Sequence, residues 1–343
     1  IRSFPARFLL FLPIPVELVL DAPSEKPRRI TREVQDNTIR LLDGEEQSLW
    51  RIYEQQVRIT DEAARADATH LHQRNEVPLA WAIPVDSRRQ EAGSFWAVFP
   101  TRSQTRIPGI LNAPWKLNSD RQAIIEGEWN RMPMTGAARM IVDALPGLAD
   151  PGAPGQVLDY FPRSLDRKDE LAATMVDAIW AEITRATVVP DASGDLRPGS
   201  ALLRMPLEDG GLLEQWRSLA PPEALRRWVH PTCQEGDRKS RLAELARRIT
   251  QAMDTEPGES ALPCLETGSL KEWFEDIATT EAEAAKGVIT LAGDCAQVMQ
   301  PVEWNRARAD LQIILTREGT LAMARDGFLA LPHQHVPGQQ FVA

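Results

Sequence analysis

A chain of 343 residues, 43% of them hydrophobic, can fill two or more packed cores. Its formal net charge of −10 offers no compact basic face and argues against a nucleic-acid-binding body. The longest apolar stretch, Phe8 to Leu20, is interrupted by Pro13, Pro15 and Glu17, which argues against a membrane span.

Three cysteines, Cys233, Cys264 and Cys295, stand apart with no Cys-x-x-Cys pair. That is neither a disulfide framework nor a zinc site, and it suits a reducing, cytoplasmic setting. The chain begins at Ile1 with no initiator methionine and with a strand-like run under way, so it reads as part of a longer protein. An Ala- and Arg-rich, Lys-poor composition points to a high-GC bacterial source.

In chain order, Phe8–Leu12 and Val16–Leu20 read as strands, and Arg29–Val34 with Asn37–Leu42 as a hairpin. Leu49–Ile59 and Val77–Val85 are further strands, separated by an Ala-rich helical stretch from Asp61 to His72. Phe95–Phe99 is an aromatic, β-branched strand that Pro100 should end. Residues Ile110–Leu117 are a second extended piece after the Pro108-Gly109 turn.

From Asn118 onward the pattern predicts helix. Ser119 followed by Gln122 matches a capping box, with Asp120 in the first turn. Arg121 does not suit that place: a cation in the first turn of a helix costs up to about 1 kcal/mol, and a nearby carboxylate or phosphate would reverse the balance. The simplest reading pairs Arg121 with Asp120 or a neighbouring loop.

Ile124, Ile125 and Trp129 give the apolar face of that helix, and Ala137–Leu145 a second one stopped by Pro146-Gly147. The run Asp150–Gly155 (DPGAPG) is the clearest loop, and it divides the chain into a sheet-rich region, 1–150, and a helix-rich region, 151–343. In the latter, Asp169–Thr187 is a long amphipathic helix, Gly210–Met253 is helical, and Ser269 opens another helix. Leu311–Thr316 and Thr320–Ala324 form a closing hairpin, with Gly327–Leu331 as a further strand. The fold class expected is α+β.

Asp209-Gly210-Gly211 and Gly293 of Leu291-Ala292-Gly293-Asp294 read as turns, not as phosphate-cradling loops. His70 with His72, and His333 with His335, are spaced for a strand and read as surface residues; a metal hydrolase built on them is not expected. Trp96, Trp115 and Trp129 cluster around the central stretch as core or interface anchors.

Three segments carry a resemblance: Phe95–Thr101 (FWAVFPT), Gly109–Trp115 (GILNAPW) and Leu117–Arg121 (LNSDR). Together with Phe4–Leu12 and Ile313–Gly319 they resemble bacterial proteins of the sacsin and ninety-kilodalton heat-shock chaperone type. Those belong to the superfamily of gyrase-, chaperone-, histidine-kinase- and mismatch-repair-like ATPases. The resemblance is best over residues 1–135, and it implies a transducer-like α/β domain of the left-handed βαβ type.

By that resemblance Arg121 reaches across a domain boundary to the γ-phosphate of ATP, with its Mg2+, held by a nucleotide-binding domain of the same parent protein. Lys116 and Arg106 would assist. The superfamily's own nucleotide-binding signatures are absent from these residues, so hydrolysis is expected only together with that other domain. The resemblance further implies a protein client or partner, or self-association as a dimer. The alternative reading is a non-catalytic scaffold whose Trp-rich surfaces bind other proteins, with Arg121 purely structural.

Overall fold

Period-two alternation over the first hundred residues folds into a sheet whose two faces are covered by different elements. The protein is described here by a computed structural model covering residues 4–12, 14–21, 27–36, 38–66, 75–85, 93–163, 170–255, 265–279, 281–316 and 321–323. Contacts divide it into two units, one of residues 1–148 with 159–185 and one of 149–158 with 186–343. The expected α+β class is what the chain forms.

In the first unit, strands β1 (Val16–Leu20), β2 (Arg28–Gln35), β3 (Thr38–Asp43), β4 (Glu46–Arg58) and β5 (Glu76–Pro84) form an antiparallel meander. Then come β6 (Ser94–Ala97), β7 (Phe99–Gln104) and β8 (Ile110–Asn112), and the sheet order is 1-2-3-4-5-8-6-7. The pairings Ile39↔Trp50, Ile52↔Ala82 and Ala82↔Ile110 set one apolar face. The segment Ala6–Phe11 packs on it. That segment is a 3-10 helix, not the strand expected of Phe8–Leu12. A strand would send Leu9 and Leu10 to opposite sides, whereas both are buried in the same cluster.

The opposite face meets α2 (Glu128–Leu148) and α1 (Asp61–Ala66), through Val77, Trp129, Met132 and Ala63. Gln55 donates to the Gly136 carbonyl at 2.7 Å, and Arg51 to that of Gly147 at 2.9 Å. α2 is one helix of 21 residues running through Pro133 and Pro146, where two helices were expected. Pro146 lies in its last turn, where the loss of one ladder bond is outweighed by burial of Ile141, Ala144 and Leu145. α3 (Glu170–Ile183) belongs to this same unit, with Glu182 reaching Arg139 of α2.

The one parallel pair of this sheet, β6 with β8, is joined through β7 and a loop. No helix lies in that link, so the βαβ crossover implied by the resemblance is not part of this sheet among the described residues. The loop passes over Gly93: Thr105 N–H donates to the Gly93 carbonyl at 3.0 Å. A Cβ at Gly93 would stand 2.0 Å from the Ile107 carbonyl oxygen, so only glycine lets the chain cross there.

Between β6 and β7 the chain reverses through Val98 alone, at φ 66°, with Ala97 paired to Phe99 and Trp96 to Pro100. Pro100 therefore sits inside a strand rather than ending one, at a sheet edge where a missing N–H is tolerated. The Val98 N–H donates to Asn112 Oδ1 at 2.8 Å, which holds a β-branched residue in a conformation it disfavours. Val98→Gly should stabilise the protein by about 1 kcal/mol in chemical denaturation, because Val98 is half exposed and has little burial to lose.

In the second unit, residues 149–158 are followed by the β9 (Thr187–Pro190) and β10 (Leu196–Pro198) hairpin. Helices α4 (Gly210–Leu219), α5 (Pro222–Leu225), α6 (Asp237–Thr255), α7 (Leu270–Glu275), α8 (Ala282–Val298) and α9 (Pro301–Ala307) follow, then β11 (Gln312–Leu315) and β12 (Leu321–Met323). The expected start at Ser269 is a full capping box with Glu272, and the expected closing hairpin is present. Asp209 caps α4 by accepting from Leu212 N. Gly293 lies inside α8, not in a turn, because Ala285, Val288, Ala292 and Cys295 recur on one buried helix face. Trp216 stacks on Trp273 at 5.5 Å and meets Trp228 at 6.0 Å in the core. Gly327–Leu331 lies outside the described residues, as do the four histidines His70, His72, His333 and His335.

Candidate functional site: an exposed arginine on a locked hairpin

Residues 116–125 form a short hairpin, not the start of a helix. Leu117 bridges Ile124 antiparallel, Asn118 N–H donates to Ala123 O at 2.9 Å, and Ile125 N–H to Lys116 O at 3.2 Å. Asn118 Oδ1 accepts from Gln122 N at 3.0 Å and Ala123 N at 3.1 Å, and Asp120 Oδ1 from Gln122 N at 2.9 Å. These short side chains offer the backbone better local partners than a helical turn would, so the capping box at Ser119 never forms and α2 begins only at Glu128.

The dipole objection to Arg121 therefore lapses, and another takes its place. Arg121 holds φ at 57°, the left-handed region, with its N–H donating to Asn118 O at 2.9 Å to close the turn. A non-glycine residue there costs about 1–2 kcal/mol. Its side chain is exposed and has no ion-pair or hydrogen-bond partner among the described residues, so the expected pairing with Asp120 is not made.

Two neighbours fix the hairpin in place. On one side Arg102 N–H donates to Gln122 O at 2.7 Å, and Ile124 N–H to Ser103 Oγ at 3.3 Å, which covers the open edge of β7. On the other stands Asn130 of α2, 1% exposed. Its Oδ1 accepts from Lys116 N at 2.8 Å, and its Nδ2 donates to Lys116 O at 2.9 Å and Ile125 O at 2.7 Å. A buried amide that reads both sides of a hairpin is a strong registration device.

The two helper residues are placed differently. Lys116 sits at the hairpin base, and its ammonium donates to the Ala66 carbonyl at 2.9 Å, 5.6 Å from the centre of the Trp129 ring. Arg106 lies on the loop between β7 and β8 at φ 61°, half-buried, and its Nε has no partner. Sequence reasoning names Asn118 only as the start of an expected helix and misses Asn130, because a single polar residue inside an apolar helix face leaves no periodic signal.

As a donor set, one exposed guanidinium suits a pair of oxyanion oxygens and does not make a pocket for a whole nucleotide. Among the described residues no group of three or more His, Cys, Asp or Glu side chains could hold a metal ion, and no helix is long and apolar enough to cross a membrane. Nine of the ten tryptophans are buried in the protein's own cores, and Trp304 is partly exposed.

The second unit holds a buried polar cluster. Asp191, fully buried, accepts from Asp195 N at 3.1 Å and pairs with Arg197 at 3.0 Å. His230, 3% exposed, accepts at Nδ1 from Thr232 N at 3.3 Å and lies 2.8 Å from Thr232 Oγ1. That hydroxyl in turn accepts from Gly155 N at 3.0 Å, so it has its proton to give to Nδ1. Burial first, then the Arg217 charge, push the imidazole down to about 4. A proton on Nδ1 would face the Thr232 N–H donor and force the Thr232 hydroxyl to turn its own proton away.

The unfolded chain takes up this proton near the ordinary value of 6.5, the native state only near 4. The stabilisation is complete above pH 6.5 and is lost as pH falls toward 4, amounting to about 3 kcal/mol in all. His230→Asn keeps an acceptor and titrates nowhere. Denaturation at pH 7 and pH 4.5 should show the wild type losing most of that amount relative to the variant.

Compared with family models, with curated proteins and with solved structures, the chain matches none.

Proposed function

We propose that this chain is the transducer-like middle part of a chaperone-type ATPase, and that Arg121 contacts the terminal phosphate of ATP bound by a nucleotide-binding domain outside it. The observation that carries this reading is an exposed, unpaired guanidinium on a turn locked by Asn118, Asp120 and Asn130. The resemblance in residues 95–121 supplies the nucleotide. When bound elsewhere, ATP with its Mg2+ supplies the phosphoryl group; this chain's part is to bring one preorganised positive charge to it. Because the hairpin is bonded to both β7 and α2, a contact at Arg121 transmits nucleotide state to the sheet and its helix.

In this reading Arg121 alone touches phosphate. The Lys116 ammonium holds the end of α1, and Arg106 anchors the loop crossing β6, with its carbonyl accepting from Arg163 N at 3.1 Å.

Arg121→Gly separates role from fold. Glycine adopts positive φ freely, so a residue with only structural duty would be improved by the change. The complete protein carrying Arg121→Gly should melt no lower than the wild type yet lose ATP turnover. Undiminished turnover in that variant would remove the reading.

A further inference from the structure

Arg28 and Arg32 lie four residues apart on β2, on the same face of the sheet, and are treated very differently. Arg28 is paired with Asp43 through Nε at 2.8 Å and Nη2 at 2.5 Å. Arg32 is 9% exposed, yet no carboxylate lies within ion-pair distance of it among the described residues. Its Nη1 makes one long hydrogen bond, 3.3 Å, to the Ile14 carbonyl, and its Nε is buried with no partner at all. Glu54 is the carboxylate whose charge it feels, from beyond contact distance, and burial dominates, pushing the guanidinium below its ordinary value.

A buried charge without a counter-ion is among the costliest features a fold can hold. Water reaching the remaining exposed edge can satisfy hydrogen bonds but cannot neutralise the charge. A planar guanidinium with unused donors matches the two oxygens of a carboxylate. The rim is apolar and open: Ile14 is 62% exposed, and Val34, on Arg32's own face, is 49% exposed.

We infer that Arg32 is the receptor of an oxyanion site at the β1–β2 edge of the sheet, taking a carboxylate borne on a short apolar stem. This site is separate from the Arg121 hairpin and does not depend on the nucleotide reading.

The test uses the 343-residue protein with sodium acetate and sodium phosphate, each against sodium chloride at equal ionic strength. About 50 mM acetate should raise Tm by about 2–4 °C, through binding to the native state alone. The same acetate should shift the Arg32 Nε–Hε resonance. Arg32→Met, which removes the unpaired charge, should lose both responses; Arg32→Lys, which keeps charge without the fork, should show a weakened one. The resonance reading on the wild type stands even if a variant does not fold. Acetate-selective stabilisation marks a carboxylate site, and an equal effect of phosphate marks one for oxyanions in general. No effect beyond chloride, or an equal effect in Arg32→Met, overturns the inference.

Discussion

ATP turnover by the complete protein is expected to fall by about 10³-fold when Arg121 is replaced by Ala, in line with the loss of an arginine that stabilises transferring phosphoryl charge. The loss should appear in kcat with little change in KM, since the charge it answers is greatest in the transition state. Arg121→Lys should recover only part of it: an ammonium brings the charge but not two parallel donors. The fold should be indifferent to both changes, because the Arg121 side chain makes no contact that stabilises it and its backbone N–H keeps the bond to Asn118.

The second large effect is expected at Asn130, a residue that touches no ligand in this reading. Asn130→Ala leaves the Lys116 N–H and the Ile125 carbonyl without a partner, and the Lys116 carbonyl with only its bond from Ile125 N–H. Each orphaned group costs about 1–3 kcal/mol, so the loss should be about 3–5 kcal/mol in chemical denaturation. Asn130→Asp is no rescue, since a carboxylate cannot donate to two carbonyls. Amide exchange at Lys116 should accelerate more than that in the β2–β4 meander. Turnover should fall toward that of Arg121→Ala although Arg121 is intact, because the hairpin carrying it is no longer registered on α2.

The meander from β1 to β5 was legible because half-buried strands alternate with a period of two and because the β2–β3 and β3–β4 turns are short. The start of α7 was legible because both halves of its capping box are bonded, Ser269 to Glu272 N and Glu272 to Ser269 N. The same signature misled at Ser119. There Asn118 and Asp120 flank the cap residue and capture the backbone first, so propensity for a turn beat propensity for a helix. The second of the two helices expected here stops at Pro146-Gly147, whereas burial of Ile141, Ala144 and Leu145 carries α2 through Pro146 to Leu148. The α8 helix was missed because small residues, Ala285, Ala292 and Cys295, make up much of its buried face, and small side chains give a faint hydrophobic pattern. Arg121 was singled out through a helix dipole that the structure does not place there. What sets it apart is its exposure and its left-handed backbone, and neither can be read from residue spacing.

The contact between Arg121 and a phosphate is reached most directly by labelling. An ATP analogue carrying a photoreactive group on its γ-phosphate, irradiated with the complete protein, should mark the peptide containing residues 117–124, and excess ATP should abolish the mark. Labelling confined to other peptides, with 117–124 untouched under conditions that support turnover, would contradict a phosphate contact at Arg121.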